Sequence, residues 1–149
     1  IGEMCHFVDL ARSFAGGRII SVQADAAQNT TGSADDITAL LRFENGSLAT
    51  IAYTSLGDAA FPKERFEIFA GGSVINLDNF RNLSITSNGS TKNHSGSGQD
   101  KGFEKSLAAF VGAVTSGGPA PINENDLVES SLATLAVLDS LRSGSRIDL

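Results

Sequence analysis

With 149 residues the chain suits one domain that buries roughly 70% of the surface its unfolded form exposes. A single cysteine and two histidines exclude an intrachain disulfide and the paired-Cys zinc spacings, which points to a reducing compartment, the cytoplasm by default, and to no metal site. A formal charge of -6, with 11 basic residues scattered along the chain and no apolar run of membrane-spanning length, argues against nucleic-acid and membrane partners.

The chain opens on a helix, Gly2-Glu3-Met4-Cys5-His6-Phe7-Val8-Asp9-Leu10-Ala11-Arg12. No initiator Met, leader or polar tail precedes it, so the chain is expected to be a domain from a longer protein. Steps of three turn about 300° around a helix, which sets Glu3, His6 and Asp9 in one polar stripe. Met4, Phe7, Val8, Ala11 and Phe14 then face a core, and Gly16-Gly17 ends the helix.

Strands follow over Ile19 to Gln28, Ile37 to Phe43 and Leu48 to Ser55. The last two flank Glu44-Asn45-Gly46-Ser47, where Asn-Gly is the hairpin signal because both central positions tolerate positive φ. A two-residue turn opposes Phe43 to Leu48 and Leu41 to Thr50, which puts Leu40, Ile51 and Tyr53 together on the face away from the helices. An apolar face of that kind needs a second subunit or domain to cover it. Arg65 to Ala70, Val74 to Leu77 and Leu83 to Ser87 add three strands.

Residues 87 to 99 carry no apolar side chain and read as a mobile loop. Two amphipathic helices close the chain. One buries Phe103, Leu107, Phe110, Val111 and Val114; the other starts near Asn123 or Asn125 and buries Val128, Leu132, Leu135 and Leu138, ending at Gly144. The tail 146–149 suits a short strand. The expectation is an α+β domain over residues 1–149: an open, mostly antiparallel sheet of about six strands with helices packed on one face.

Several chemistries lack their signatures. Neither Gly-x-Gly-x-x-Gly after a strand nor Gly-x4-Gly-Lys-Ser/Thr is present, so the chain has no nucleotide-binding half of its own. Cys5 and His6 point about 100° apart on a helix, which disfavours a shared metal or a Cys-His nucleophile pair.

Four stretches in order resemble the C-terminal domain of the glucose-fructose oxidoreductase / inositol dehydrogenase / MocA family. The first helix is similar to the family's His-x-x-Asp-Leu helix, and 35–43 with Asn45-Gly46 to its central hairpin. Phe66-Glu67-Ile68-Phe69-Ala70-Gly71-Gly72 resembles a strand ending in a Gly turn. Phe110-Val111, 117–122 and 138–144 resemble the closing helices. The Glu-x-x-His-x-x-Asp form also looks like a branch in which such a module follows a zinc-type alcohol dehydrogenase.

The resemblance implies a substrate-binding and oligomerisation domain that works with an N-terminal Rossmann domain. NAD or NADP would be bound mainly by that absent domain, and the substrate would be a sugar, cyclitol or nucleotide-linked sugar. By itself this chain is expected to be inactive. The sheet commonly mediates homo-oligomer contact in the family. The family's catalytic His maps to His6; many members place an Asp four residues before it, where this chain has Gly2, with Glu3 one position later.

An imidazole of pKa about 6.5 can take the hydroxyl proton when a secondary alcohol is oxidised, which fits His6 as the catalytic residue; the alternative is a histidine that caps or packs near the helix start. As substrate-binding candidates, Glu3 orients the His or binds a sugar hydroxyl, or only complements the helix dipole. Asp9 binds substrate or pairs with Arg12 or Arg18. Lys92 reaches a substrate phosphate if its loop closes as a lid, or faces water. His94 reads as solvated and Cys5 as a small buried hydrophobe. A non-catalytic assembly module with a vestigial pocket is the competing function.

Overall fold

A computed structural model of the chain describes residues 3–27 and 35–149; Gly2 and Gln28 lie outside them. The order of elements is α1 (Met4–Ala15), β1 (Ile19–Ala26), β2 (Ile37–Phe43), β3 (Leu48–Tyr53), β4 (Arg65–Ala70), β5 (Ser73–Asp78), β6 (Asn82–Ser87), β7 (Ser90–Ser95), α2 (Phe103–Ser116), α3 (Glu124–Ser143) and β8 (Ile147–Asp148). The α+β class and the antiparallel pairing match the expectation. The strands, however, number eight among the described residues and form two sheets, β3-β2-β1-β8 and β4-β5-β6-β7. The sheets belong to two compact units, Ile1–Leu56 with Ile122–Leu149, and Gly57–Pro121.

In the first unit, α1 and α3 cover one face of the sheet. Strand alternation sends Val22, Ala24, Ile37, Ala39, Leu41 and Ile51 toward Met4 and Val8 of α1 and Ala133, Ala136 and Val137 of α3. The α1 stripe behaves as its spacing demands, except that Phe14, expected inside, is 52% exposed.

Helix α3 departs further. It turns its small face inward, burying Ser130, Ala133, Ala136, Val137 and Ser140, while Val128, Leu132 and Leu135, expected in the core, stay exposed. Small residues let the helix lie close enough to β1 for Ser140 Oγ to accept from Ala24 N at 2.9 Å. Glu129 Oε1 likewise accepts from Ile19 N at 2.6 Å. The larger Leu and Val row could not approach that closely.

The β2–β3 turn decides which side chains face the helices. Gly46 N donates to Phe43 O and Phe43 N to Ser47 O, both at 3.0 Å, so the loop holds three residues, Glu44, Asn45 and Gly46. Only Gly46 of the three has positive φ, 86°, the geometry of a type I turn closed by a glycine bulge. The extra residue slips the register by one against the expected two-residue turn. Leu41 pairs with Ala49, and Ala39 with Ile51.

A one-residue slip exchanges the faces of a strand. Ile51 is therefore buried on the helix side, and Tyr53 follows it, its ring 6.3 Å from that of Phe7 in α1. Of the three residues expected on the open face, only Leu40 lies there; the others on it include Gln23, Thr38, Arg42, Leu48 and Thr50.

The second unit is a four-stranded meander. Phe66, Ile68, Ile75, Leu77, Leu83 and Ile85 share one face; the other carries Arg65, Glu67, Asn76, Asp78, Ser84 and Thr86, with Phe69 opposite Val74. The stretch expected to be a loop instead supplies β7. Asn88 and Gly89 take φ of 50° and 73°, so the two-residue Asn-Gly hairpin sits here, with Ser87 opposite Ser90. An edge strand needs backbone partners rather than apolar side chains, and Thr86 and Thr91 add a cross-strand hydroxyl bond of 2.9 Å.

At the opposite end of this sheet, Asn79 and Phe80 both have positive φ, 49° and 52°. Phe80 is held in that costly conformation by an edge contact with Phe66 at 5.5 Å and by Lys101 Nζ, 5.6 Å from its ring centre. Gln99 donates to Asn79 Oδ1 at 2.9 Å and Lys101 to Glu64 Oε1 at 2.8 Å, tying the segment before α2 to this turn. Contrary to its expected core role, the apolar face of α2 is exposed: Phe103 by 77%, Leu107 by 65% and Phe110 by 60%.

Two substitutions test the register. Ile51→Asp should destabilise the first unit by about 3 kcal/mol or more, whereas Leu40→Asp should stay within about 0.5 kcal/mol, by urea unfolding. Gly46→Ala, whose Cβ meets nothing within 4 Å, should cost about 1 kcal/mol from its backbone conformation alone.

Candidate functional site

Glu3 occupies the N-cap position of α1 without a side-chain cap bond, and its carbonyl accepts from His6 N at 3.2 Å. His6 is exposed, and its imidazole makes no hydrogen bond among the described residues. Asp9 turns toward α3, where Ser130 Oγ donates to its Oδ1 at 2.9 Å. One expected arginine partner is engaged elsewhere: Arg12 pairs with Asp126 and, through Nε at 3.4 Å, with Glu129 of α3. The backbone N–H of Arg18 donates to Glu44 Oε1 at 3.2 Å.

The stripe read from the sequence thus divides. Its Asp9 end is fastened to the fold, and its His6 end faces solvent. Lys92, assigned to a closing lid, is an exposed residue of β7 opposite Ile85 in the second unit. A regular edge strand takes the place of that lid.

A cavity of about 500 Å³ opens at the end of the first sheet. Asp25 at the end of β1, Asp36 and Thr38 at the start of β2, and Tyr53 and Thr54 at the end of β3 supply its polar lining. Asp36 is 6% exposed; its Oδ1 accepts from Thr54 Oγ1 and Ser55 N, both at 2.8 Å, which fixes the turn leaving β3. Tyr53 connects this cavity to α1 through Phe7, the residue after His6. No group of three or more His, Cys, Asp or Glu residues suited to a metal occurs among the described residues.

The GFO/IDH/MocA C-terminal domain family model matches residues 3–73, which hold α1, the first three strands and this cavity. Over those residues the chain is similar to the GFO/IDH/MocA C-terminal domain. No curated protein sequence matches it. Among solved structures, the UDP-N-acetylglucosamine 3-dehydrogenase of Acidithiobacillus ferrooxidans is similar with a TM-score of 0.81 and 20% identity, over 94% of this chain and 46% of that one.

Levoglucosan dehydrogenase, solved with NADH and levoglucosan, gives a TM-score of 0.79 and 18% identity over 98% of this chain and 48% of its own. The WlbA dehydrogenase of Bordetella pertussis, in complex with NADH and UDP-GlcNAcA, gives 0.63 and 19% over 99% and 43%. At such identities the likeness is one of fold. The chain spans less than half the length of these proteins.

Spacing in the sequence pointed to the stripe Glu3, His6 and Asp9, and the family resemblance singled out His6. The sequence missed the cavity, because a two-residue turn sends Tyr53 to the wrong face and hides its place beside α1. Asp25 and Asp36 gave no signal, since their meeting depends on the pairing of β1 with β2, in which Asp25 lies opposite Thr38.

The fastening of α1 predicts a measurable coupling. Asp9→Ala and Ser130→Ala should each destabilise the chain by about 1 kcal/mol, and the double variant by less than their sum, in a thermal-unfolding double-mutant cycle. Arg12→Ala, which leaves Asp126 and Glu129 unpaired, should cost about 1–3 kcal/mol.

Proposed function

We propose that this chain is the substrate-binding and oligomerisation half of an NAD(P)-dependent oxidoreductase acting on a sugar, cyclitol or nucleotide-linked sugar, with His6 as its catalytic acid–base. The observation that carries the reading is the family match over residues 3–73, within which α1 presents an exposed imidazole. Solved relatives of the fold bound to NADH with a sugar or nucleotide sugar support it.

In this reading an N-terminal Rossmann domain of the full-length protein holds NAD or NADP, which accepts the hydride. This chain has neither Gly-rich phosphate motif and contributes the substrate site and the proton path. Residues 1–149 act as one C-terminal domain, in a reducing compartment such as the cytoplasm. His6 takes the hydroxyl proton of the alcohol, Glu3 at the N-cap orients the ring or binds a neighbouring hydroxyl, and Asp9 holds the helix in place. Lys92, exposed on an edge strand, contacts the substrate only from the second unit. Association uses the open face of the first sheet, where Leu40 and Leu48 are 41% and 57% exposed.

In the full-length protein, His6→Asn should lower kcat by roughly 10² to 10⁴ with an unchanged melting temperature, and Glu3→Gln should lower it less. Near-normal turnover in both variants would instead favour a non-catalytic assembly module. Leu40→Asp should shift the protein toward monomer in light scattering; an unshifted distribution would remove this face from the interface.

A further inference from the structure

The second unit has no interior of its own. Between Gly57 and Pro121 no residue is buried, although its sheet has one apolar face. There Ile68, Ile75 and Ile85 stand in one row across β4, β5 and β6, with Leu77 and Leu83 in the next row beside Phe66. Helix α2 carries the other half of a core. Phe103, Leu107, Phe110, Val111 and Val114 line one stripe of it, each at least 49% exposed, and every residue of the helix except Ala113 is exposed. A helix of 14 residues with nothing packed along it is marginal in water.

We propose that two copies of the chain exchange α2, each helix seating its apolar stripe on the second sheet of the other copy. The shapes match: a helix of 14 residues is about 21 Å long and 10 Å across, and strands of six residues, three abreast, give a face of about 20 Å by 10 Å. Contacts at the end of its own sheet pin the root of α2. Lys101 Nζ donates to Glu64 Oε1 at 2.8 Å, Gln99 to Asn79 Oδ1 at 2.9 Å, and Gly102 N to Asp100 Oδ1 at 2.9 Å. Beyond Gly102, at φ of 74°, the helix stands clear of that sheet and is presented to another molecule.

The stripe leaves roughly 500 Å² of apolar surface in water, near the upper bound for a monomer. Two seated helices bury about 2,000 Å² in all, counting both helices and both sheet faces, which reaches the range of permanent dimers. Because one chain holds both complementary halves, a two-fold axis satisfies both at once and closes the assembly. These surfaces are distinct from the open face of the first sheet that carries Leu40, and a chain using both contacts assembles beyond a dimer.

Leu40→Asp, which removes the open-face contact, isolates the exchange. At about 20 μM this variant of the chain should sediment as a dimer. Adding Phe110→Asp on the helix, or Ile75→Asp on the sheet, should give a monomer. Mixing those two should restore a dimer at least about 10-fold weaker than the parent, because the intact helix of one fits the intact sheet of the other and one of two contacts survives. A second measurement needs no disruptive change: a spin label on Ala108→Cys, off the stripe, in a Cys5→Ser chain should broaden the methyl resonances of Ile68, Ile75 and Ile85 in a second, isotopically labelled copy mixed with it. A monomeric Leu40→Asp chain, or a dimer that survives Phe110→Asp, overturns the exchange. With Ile75→Asp folded by circular dichroism, a mixture that stays monomeric does so too. Broadening confined to samples in which label and isotope share one chain overturns it by placing α2 on its own sheet, and no broadening at all overturns it by leaving the sheet to a different partner.

Discussion

The β2–β3 turn governs the first unit through the parity of a strand. Because Glu44, Asn45 and Gly46 all lie in the loop, every side chain of β3 faces opposite to where a two-residue turn would send it. Ile51 completes the core beneath α1 and α3, and Tyr53 comes to rest against Phe7. Leu40 and Leu48 are left on the open side. One glycine able to take φ of 86° thus sets both the core and the cavity wall.

Helix α1 is fastened to α3 and to the core. Arg12 meets Asp126 and Glu129, Asp9 meets Ser130, and Met4 and Val8 are sunk in the core. These anchors span the length of the helix and leave Glu3 and His6 outward. The backbone that carries His6 is thereby fixed while its imidazole stays exposed.

Periodicity revealed what depends on a single element: the three helices and most strand positions. It failed where a second element decides. The α3 face is chosen by close approach to β1, so Ala133, Ala136 and Ser140 displace Leu132 and Leu135 from the core. Strand β7 is stabilised by its ladder to β6, so its lack of apolar residues was no evidence of a loop. Two Asn-Gly pairs look alike in sequence, yet only Asn88-Gly89 has both residues at positive φ; neighbouring pairing separates them, and composition cannot. The cavity was illegible because its residues meet only through register.

The first unit is discontinuous, and this shapes how the chain acquires its structure. Its core lacks one wall until α3 returns to β1, closing contacts between residues 110 and 116 positions apart. The segment between holds the hairpins β2–β3, β4–β5, β5–β6 and β6–β7, each joining strands adjacent in sequence, and helix α2. Local pairings form early and shorten the effective loop that the distant closure must span, whereas the closure itself waits for α3 to leave the ribosome. The interior of the first unit is thus completed after the second unit has emerged, although its helix α1 and first strands precede that unit in the chain.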